Sequence, residues 1–162
     1  MADQALTRNM ETTTLIGPYG IRIDCLRTEI WGDPHAAEKI MRMEAGFDCF
    51  VVNHAGPPTD PQDAIIGAIA SRVGGWVEVF GDWAEVIHDA IDSESVRLGR
   101  QAAVGDGNPM TTWEEESQDS EIALYIWTGG QGESTRKVAV LVGQSHETAA
   151  ALQALVGHQR AR

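Results

Sequence analysis

The chain has 162 residues, with 24 acids, 12 bases and a formal charge of −12 at pH 7. That length suits one domain, and an apolar share of 43% is enough to bury a core, which excludes a disordered chain. The sign of the charge argues against direct nucleic-acid binding, because gripping phosphates requires Lys and Arg to displace counterions.

The first eleven residues are polar and aperiodic and read as a loose tail, with no signal-peptide core and no basic leader. No stretch approaches ~18 uninterrupted apolar residues, so no membrane span is expected and the reading is cytoplasmic. Cys25 and Cys49 fit that compartment: each sits in a strand-like run, where a free Cys packs as a small hydrophobe. The bases are ten Arg and two Lys (Lys39 and Lys137), a usage typical of GC-rich coding and of a bacterial source.

Thr12 to Ile16 favours a strand, Gly17-Pro18-Tyr19-Gly20 is turn chemistry, and Ile21 to Trp31 alternates in part, so the two runs read as a hairpin. Asp33-Pro34 opens a helix that stops at Gly46, with Asp33 capping and Pro34 preorganised for the first helical position. Phe47 to His54 is a nearly continuous apolar run, the mark of a buried strand. Asp60-Pro61 repeats the helix-opening device for a buried helix from Gln62 to about Val73. Gly74-Gly75 breaks it, and Trp76 to Phe80 reads as a strand. Asp82 and Glu85 are spaced as a capping box for the next helix, on which Trp83, Val86, Ile87 and Ala90 share a face. Val104 to Ser120 reads as a long loop. Ile122, Leu124 and Ile126 alternate, which predicts a strand over Glu121–Thr128, a glycine-rich hairpin loop and a returning strand from Lys137 to Val142. Ser145 caps a last helix ending at Gly157, and a short basic tail, 158–162, follows.

The fold expected is α+β: a mixed sheet of about five or six strands, built from two hairpins plus β-α-β units and covered by four to five helices. Residues 12–157 form its single domain, between the two tails.

Four constellations bear on function. The first is Asp48, Cys49 and His54, with His35 as a further catalytic candidate; His54 ends a strand, where sites of α/β sheets gather, and histidine suits acid–base work. The string Val51-Val52-Asn53-His54-Ala55-Gly56 is similar to the NNAG stretch of short-chain dehydrogenases. No glycine-rich fingerprint precedes it, and neither Tyr19 nor Tyr125 has a Lys four residues on, so no nicotinamide cofactor is implied. The second is metal binding by His35, His54, Cys25, Cys49 or Asp33; the chain has none of the local spacings that mark a metal site, and no metal or other cofactor is expected. The third is the run from Trp127 to Lys137, whose glycines lack the G-K-[ST] ending of a phosphate loop.

The fourth is acidic. Met43–Val96 carries ten acids and one base, and Gln101–Thr135 seven acids and none. Asp82, Glu85, Asp89 and Asp92 line one helix face, and Trp113, Glu114, Glu115, Glu116 and Asp119 follow in the loop. A tryptophan set among carboxylates has the composition of a docking hot spot for a basic partner. The leading expectation is an acidic protein–protein interaction module: a regulator, adaptor or immunity-type inhibitor of a basic protein. The alternatives are a small enzyme or ligand-binding domain at the end of the 47–54 strand, and a self-associating structural protein.

Overall fold

A computed structural model describes residues 12–60, 62–99, 110–115, 117–129 and 136–160. Its first elements are β1 (Thr12–Ile16) and β2 (Arg22–Thr28), paired antiparallel as the hairpin that the turn chemistry predicts. Asp33 then caps α1 (Pro34–Arg42), its carboxylate accepting from the His35 amide at 2.9 Å. β3 (Phe47–Asn53) follows, with all seven residues buried. Next come α2 (Ala64–Arg72), β4 (Val73–Gly81), α3 (Ala84–Arg97), β5 (Met110–Glu114), α4 (Asp119–Thr128), β6 (Arg136–Val142) and α5 (Ser145–Arg160).

The six strands form one mixed sheet in the order β1-β2-β6-β3-β4-β5, antiparallel at β1–β2 and parallel elsewhere. With the five helices this is the α+β fold expected. Strand alternation divides the core in two. Cys49, Val51, Val138 and Val140 face α1, α2 and α3, whereas Phe50, Val52, Ala139 and Leu141 face α4 and α5. Parallel strands covered on both faces read as continuous apolar runs, which is why the buried strand at 47–54 was legible. β3 and β6 lie side by side, yet β3 leads to α2 on one face and β6 to α5 on the other. In α/β sheets, ligand sites gather at the carboxyl ends of strands that diverge in this way.

The second hairpin is not formed, because Asp119–Thr128 is a helix. Its buried residues are Ile122, Ala123, Ile126 and Trp127, a helical stripe, while Leu124 is 46% exposed. Ile122 and Ile126 satisfy both a two-residue and a 3.6-residue period, so the alternation was ambiguous, and Asp119 and Glu121 in the first turn favour the helix dipole. β6 instead pairs in parallel with β2 and β3. The expected 104–120 loop holds β5, and the glycines at 130 and 132 lie outside the described residues.

Smaller corrections share one cause: tertiary contact overrides a local signal. α2 is capped by Asp63, bonded to the amides of Ile65 and Ile66, rather than by Asp60. Gly74 and Gly75 belong to β4, because a side chain at Gly74 would place its Cβ 2.6 Å from the Gly46 carbonyl. The capping box at Asp82 and Glu85 is absent: Trp83 is the N-cap of α3 and makes no side-chain cap bond. The buried face of α3 is Ala84, Ile87 and Ile91, which leaves Trp83 and Val86 exposed. α5 runs past Gly157 to Arg160.

Candidate functional site

The carboxyl edge of the sheet is organised by Asn53, the fully buried last residue of β3. Its Oδ1 accepts from Trp31 Nε1 at 3.1 Å and from the Ala55 amide at 3.2 Å. Its Nδ2 donates to the Ala55 carbonyl at 3.1 Å and to the Asp82 carbonyl at 2.6 Å. One amide side chain thus ties together the segments that leave β2, β3 and β4. The junction needs Gly81: its φ is +94°, and a Cβ there would sit 2.3 Å from the Asn53 carbonyl oxygen.

His54 follows, where β3 and β6 diverge. Its amide donates to the Val142 carbonyl at 2.7 Å, and a Cβ on Gly143 would lie 2.9 Å from the His54 Cβ. The ring is flanked by carboxylates from two helix starts: Asp119 of α4, 3.5 Å from Nε2, and Glu147 of α5, 4.0 Å from Nδ1. Nε2 is buried and makes no hydrogen bond among the described residues. The other Glu147 oxygen accepts from the Gln144 amide at 3.3 Å, a reciprocal cap that holds the side chain toward His54.

Next along the edge, Trp83 has φ 59° and ψ 25°, the left-handed region, and is 51% exposed. A bulky residue held there costs on the order of 1–2 kcal/mol, and such strain collects at ligand clamps. The conformation is fixed from behind, because both backbone polar groups of Asp82 bond to Asn53. Asp82 and Glu85 are exposed around it. β5 supplies Trp113, 42% exposed, and the exposed Glu114 and Glu115. Glu116 lies outside the described residues. Asp89 is exposed, whereas Asp92 is half-buried and accepts from Thr111 Oγ1, which joins α3 to β5.

The catalytic candidates do not converge. Asp48 stands near the start of β3, about 20 Å from His54 at ~3.3 Å per residue. It is buried at the register shift between β3 and β4, where it accepts from the Trp76 amide. Burial raises its pKa, against the opposing pull of Lys137. Cys49 is fully buried, and desolvation pushes its thiol far above the ordinary range. Cys25 faces the other core, its thiol pushed up to about 12 by burial, so the sheet itself separates the two cysteines and both are free. His35 is exposed on the first turn of α1. No group of three or more His, Cys, Asp or Glu side chains is placed to hold a metal among the described residues.

A second titratable group is Glu78, buried in β4 on the α4 side. It accepts from Trp76 Nε1 at 3.3 Å, bonds Tyr125, and has its pKa raised, chiefly by burial. Tyr125 packs edge-on against Phe50 and Phe80, so this cluster closes the space between α4 and the sheet.

Sequence reasoning missed Asn53, Trp83 and Glu147. The asparagine ended an apolar run, where an unbonded amide is costly, and that was a usable signal. Trp83 gave none: its spacing matched an apolar helix face, and only its backbone angle and exposure mark it out. No protein-family model matches the chain, and a search of curated proteins found no match. Among the described residues, no helix is long and apolar enough to cross a membrane.

Proposed function

We propose that the protein is an acidic interaction module, a regulator, adaptor or immunity-type inhibitor, that docks a basic protein through the β4–β5 corner of its carboxyl edge. The observation that carries this reading is Trp83: an exposed indole held in a strained conformation, with Asp82 and Glu85 around it. The bonds of Asp82 to Asn53 hold the strained backbone, so the indole is presented preorganised for a contact made on binding. Trp113, Glu114 and Glu115 extend the same corner, since Phe80 and Glu114 are register partners. Apolar anchors within a carboxylate rim recruit a cationic surface by steering and hold it by burial. Two buried free thiols fit a cytoplasmic location.

The test starts from a basic protein retained by the immobilised chain from host lysate, with association and dissociation then measured on the purified pair. Association should slow tenfold or more between about 50 and about 300 mM salt. Trp83→Gly should weaken binding by roughly 10–100-fold. The same change should leave the fold as stable or up to about 1 kcal/mol more stable, since glycine suits the left-handed region. Glu114→Gln/Glu115→Gln should slow association. A partner indifferent to salt and to both variants overturns the reading.

A second reading is favoured by His54, whose ring lies between two carboxylates and whose buried Nε2 makes no hydrogen bond among the described residues. It is a small-ligand or catalytic site at the end of β3. A metabolite that shifts the His54 ring resonances and leaves the Trp83 indole unmoved would support it; a panel without such a compound counts against it.

A further inference from the structure

We infer that His88 is a proton-operated clasp on β5, the edge strand that carries Trp113 and Glu114. The clasp stands on hydrogen-bond geometry alone; its consequence for docking rests on the function proposed above. His88 lies on α3 with its side chain mostly buried. Nδ1 is 3.0 Å from Asp89 Oδ1. Nε2 is 3.2 Å from the Thr111 carbonyl oxygen, 3.0 Å from Thr111 Oγ1 and 3.6 Å from Asp92 Oδ2. The Thr111 hydroxyl proton is already committed, because Oγ1 donates to Asp92 Oδ1 at 2.5 Å. Each of these neighbours therefore offers the ring a lone pair.

A neutral imidazole carries one N–H, so one nitrogen would turn its own lone pair on an acceptor; an imidazolium donates from both. The charged ring bonds Asp89 on one side and Thr111 on the other, and so fastens β5 to α3. The ionisable groups near it are Asp89 and Asp92 on its own helix and, across the sheet on β4, Glu78, which the ring's positive charge pulls toward its ionised form. Among the described residues, β5 brings the Thr111 carbonyl and hydroxyl to the ring.

Among the described residues β5 is a terminal strand of five residues, paired to β4 alone, so a bond from α3 adds a second anchorage to that pairing. With the ring charged, the strand and its Trp113 are held. Once the ring loses its proton, the remaining N–H stays with the stronger acceptor, the Asp89 carboxylate, and Nε2 turns its lone pair on the Thr111 carbonyl, so the strand loosens. A basic partner would then meet a rigid corner at lower pH and a mobile one at higher pH.

The test follows the ring nitrogens by 15N labelling and backbone amide exchange across about pH 5.5 to 8.5, the range in which histidines change charge. Both nitrogens of His88 should carry protons at the low end. Protection at Thr112 and Trp113, relative to Val51 and Val140, should fall roughly tenfold as the ring loses its proton. That fall should vanish in His88→Gln. Three results overturn the clasp: β5 protection that tracks the central strands at every pH, a fall that persists in His88→Gln, or a neutral ring while β5 stays protected. The ring measurement on the unaltered protein decides the matter even where the variant folds poorly. A neutral ring together with intact, salt-sensitive partner binding rejects the clasp and leaves the docking function standing.

Discussion

β3 carries Asp48 near its beginning and His54 just past its end, and the two edges of the sheet treat these residues in opposite ways. At the amino edge charge is consumed by packing. Asp48 seals the register shift with β4, and its neighbour across the sheet, Lys137, donates to the carbonyls of Ile126 and Gly129 at the end of α4. The Lys137 ammonium also sits 5.5 Å from the Phe50 ring centre. One Asp48 oxygen, Oδ1, is nonetheless buried without a hydrogen bond among the described residues, as His54 Nε2 is at the other edge. At the carboxyl edge Asn53, buried beneath the surface, is bonded through both its Oδ1 and its Nδ2, while His54, Asp119, Glu147 and Trp83 remain partly open above it. Similar residue types thus have different roles because parallel strands send their carboxyl ends toward loops that diverge, and their amino ends toward helix ends that must be capped.

The contrast is sharpest if the buried hub is removed. Asn53→Ala strands Trp31 Nε1, the Ala55 amide and the Asp82 carbonyl. Urea unfolding should show a loss of about 4 kcal/mol at neutral pH. A loss below about 1 kcal/mol would mean that the carboxyl edge is not held by this residue.

At the amino edge, Lys137→Met should cost about 3 kcal/mol at pH 7, because it leaves the Asp48 carboxylate buried without its counter-charge. The pH dependence has a definite sign. Burial already raises the Asp48 pKa in the folded state, and losing Lys137 raises it further. The native variant therefore takes up its proton at higher pH than the unfolded chain does, and its deficit shrinks as pH falls through the folded pKa. Denaturant midpoints of both proteins between about pH 7 and about pH 4 check this, and a deficit that stays constant breaks the assignment of Asp48 as the coupled group.

The smallest effect lies between the edges. Glu78 has a raised folded pKa, so its ionised form opposes folding at neutral pH. Glu78→Gln should stabilise by about 1 kcal/mol at pH 7 while keeping the bonds to Trp76 and Tyr125. The advantage should disappear on acidification, because the native carboxyl regains its proton before the unfolded one does. A destabilised variant at pH 7 would show that the carboxylate charge is wanted where it is.

Much of this organisation was legible in the residues. The hairpin at 12–28, the Asp33-Pro34 helix start and the buried strand from Phe47 announce themselves, because turn preference, capping and uninterrupted apolar runs are local properties. The segment from Asp119 to Thr128 was not legible, because two periodicities fit the same isoleucines and only burial of Ala123 and Trp127 separates them. The acids at 82, 85, 114 and 115 were visible as a charge run, and His54 as a strand-end histidine.

What composition and pattern determined by themselves is a negatively charged chain with an α+β core, since net charge and hydrophobic periodicity do not depend on which segments meet. What only the tertiary structure decided is the company each polar residue keeps. The order β2-β6-β3-β4-β5 brings Glu147 and Asp119 to His54, sets Thr111 against His88, and sends Asp48 to the far edge. Those meetings join residues distant in the chain, and strand order is set by the burial of two apolar faces at once, a condition that no local window of the sequence contains.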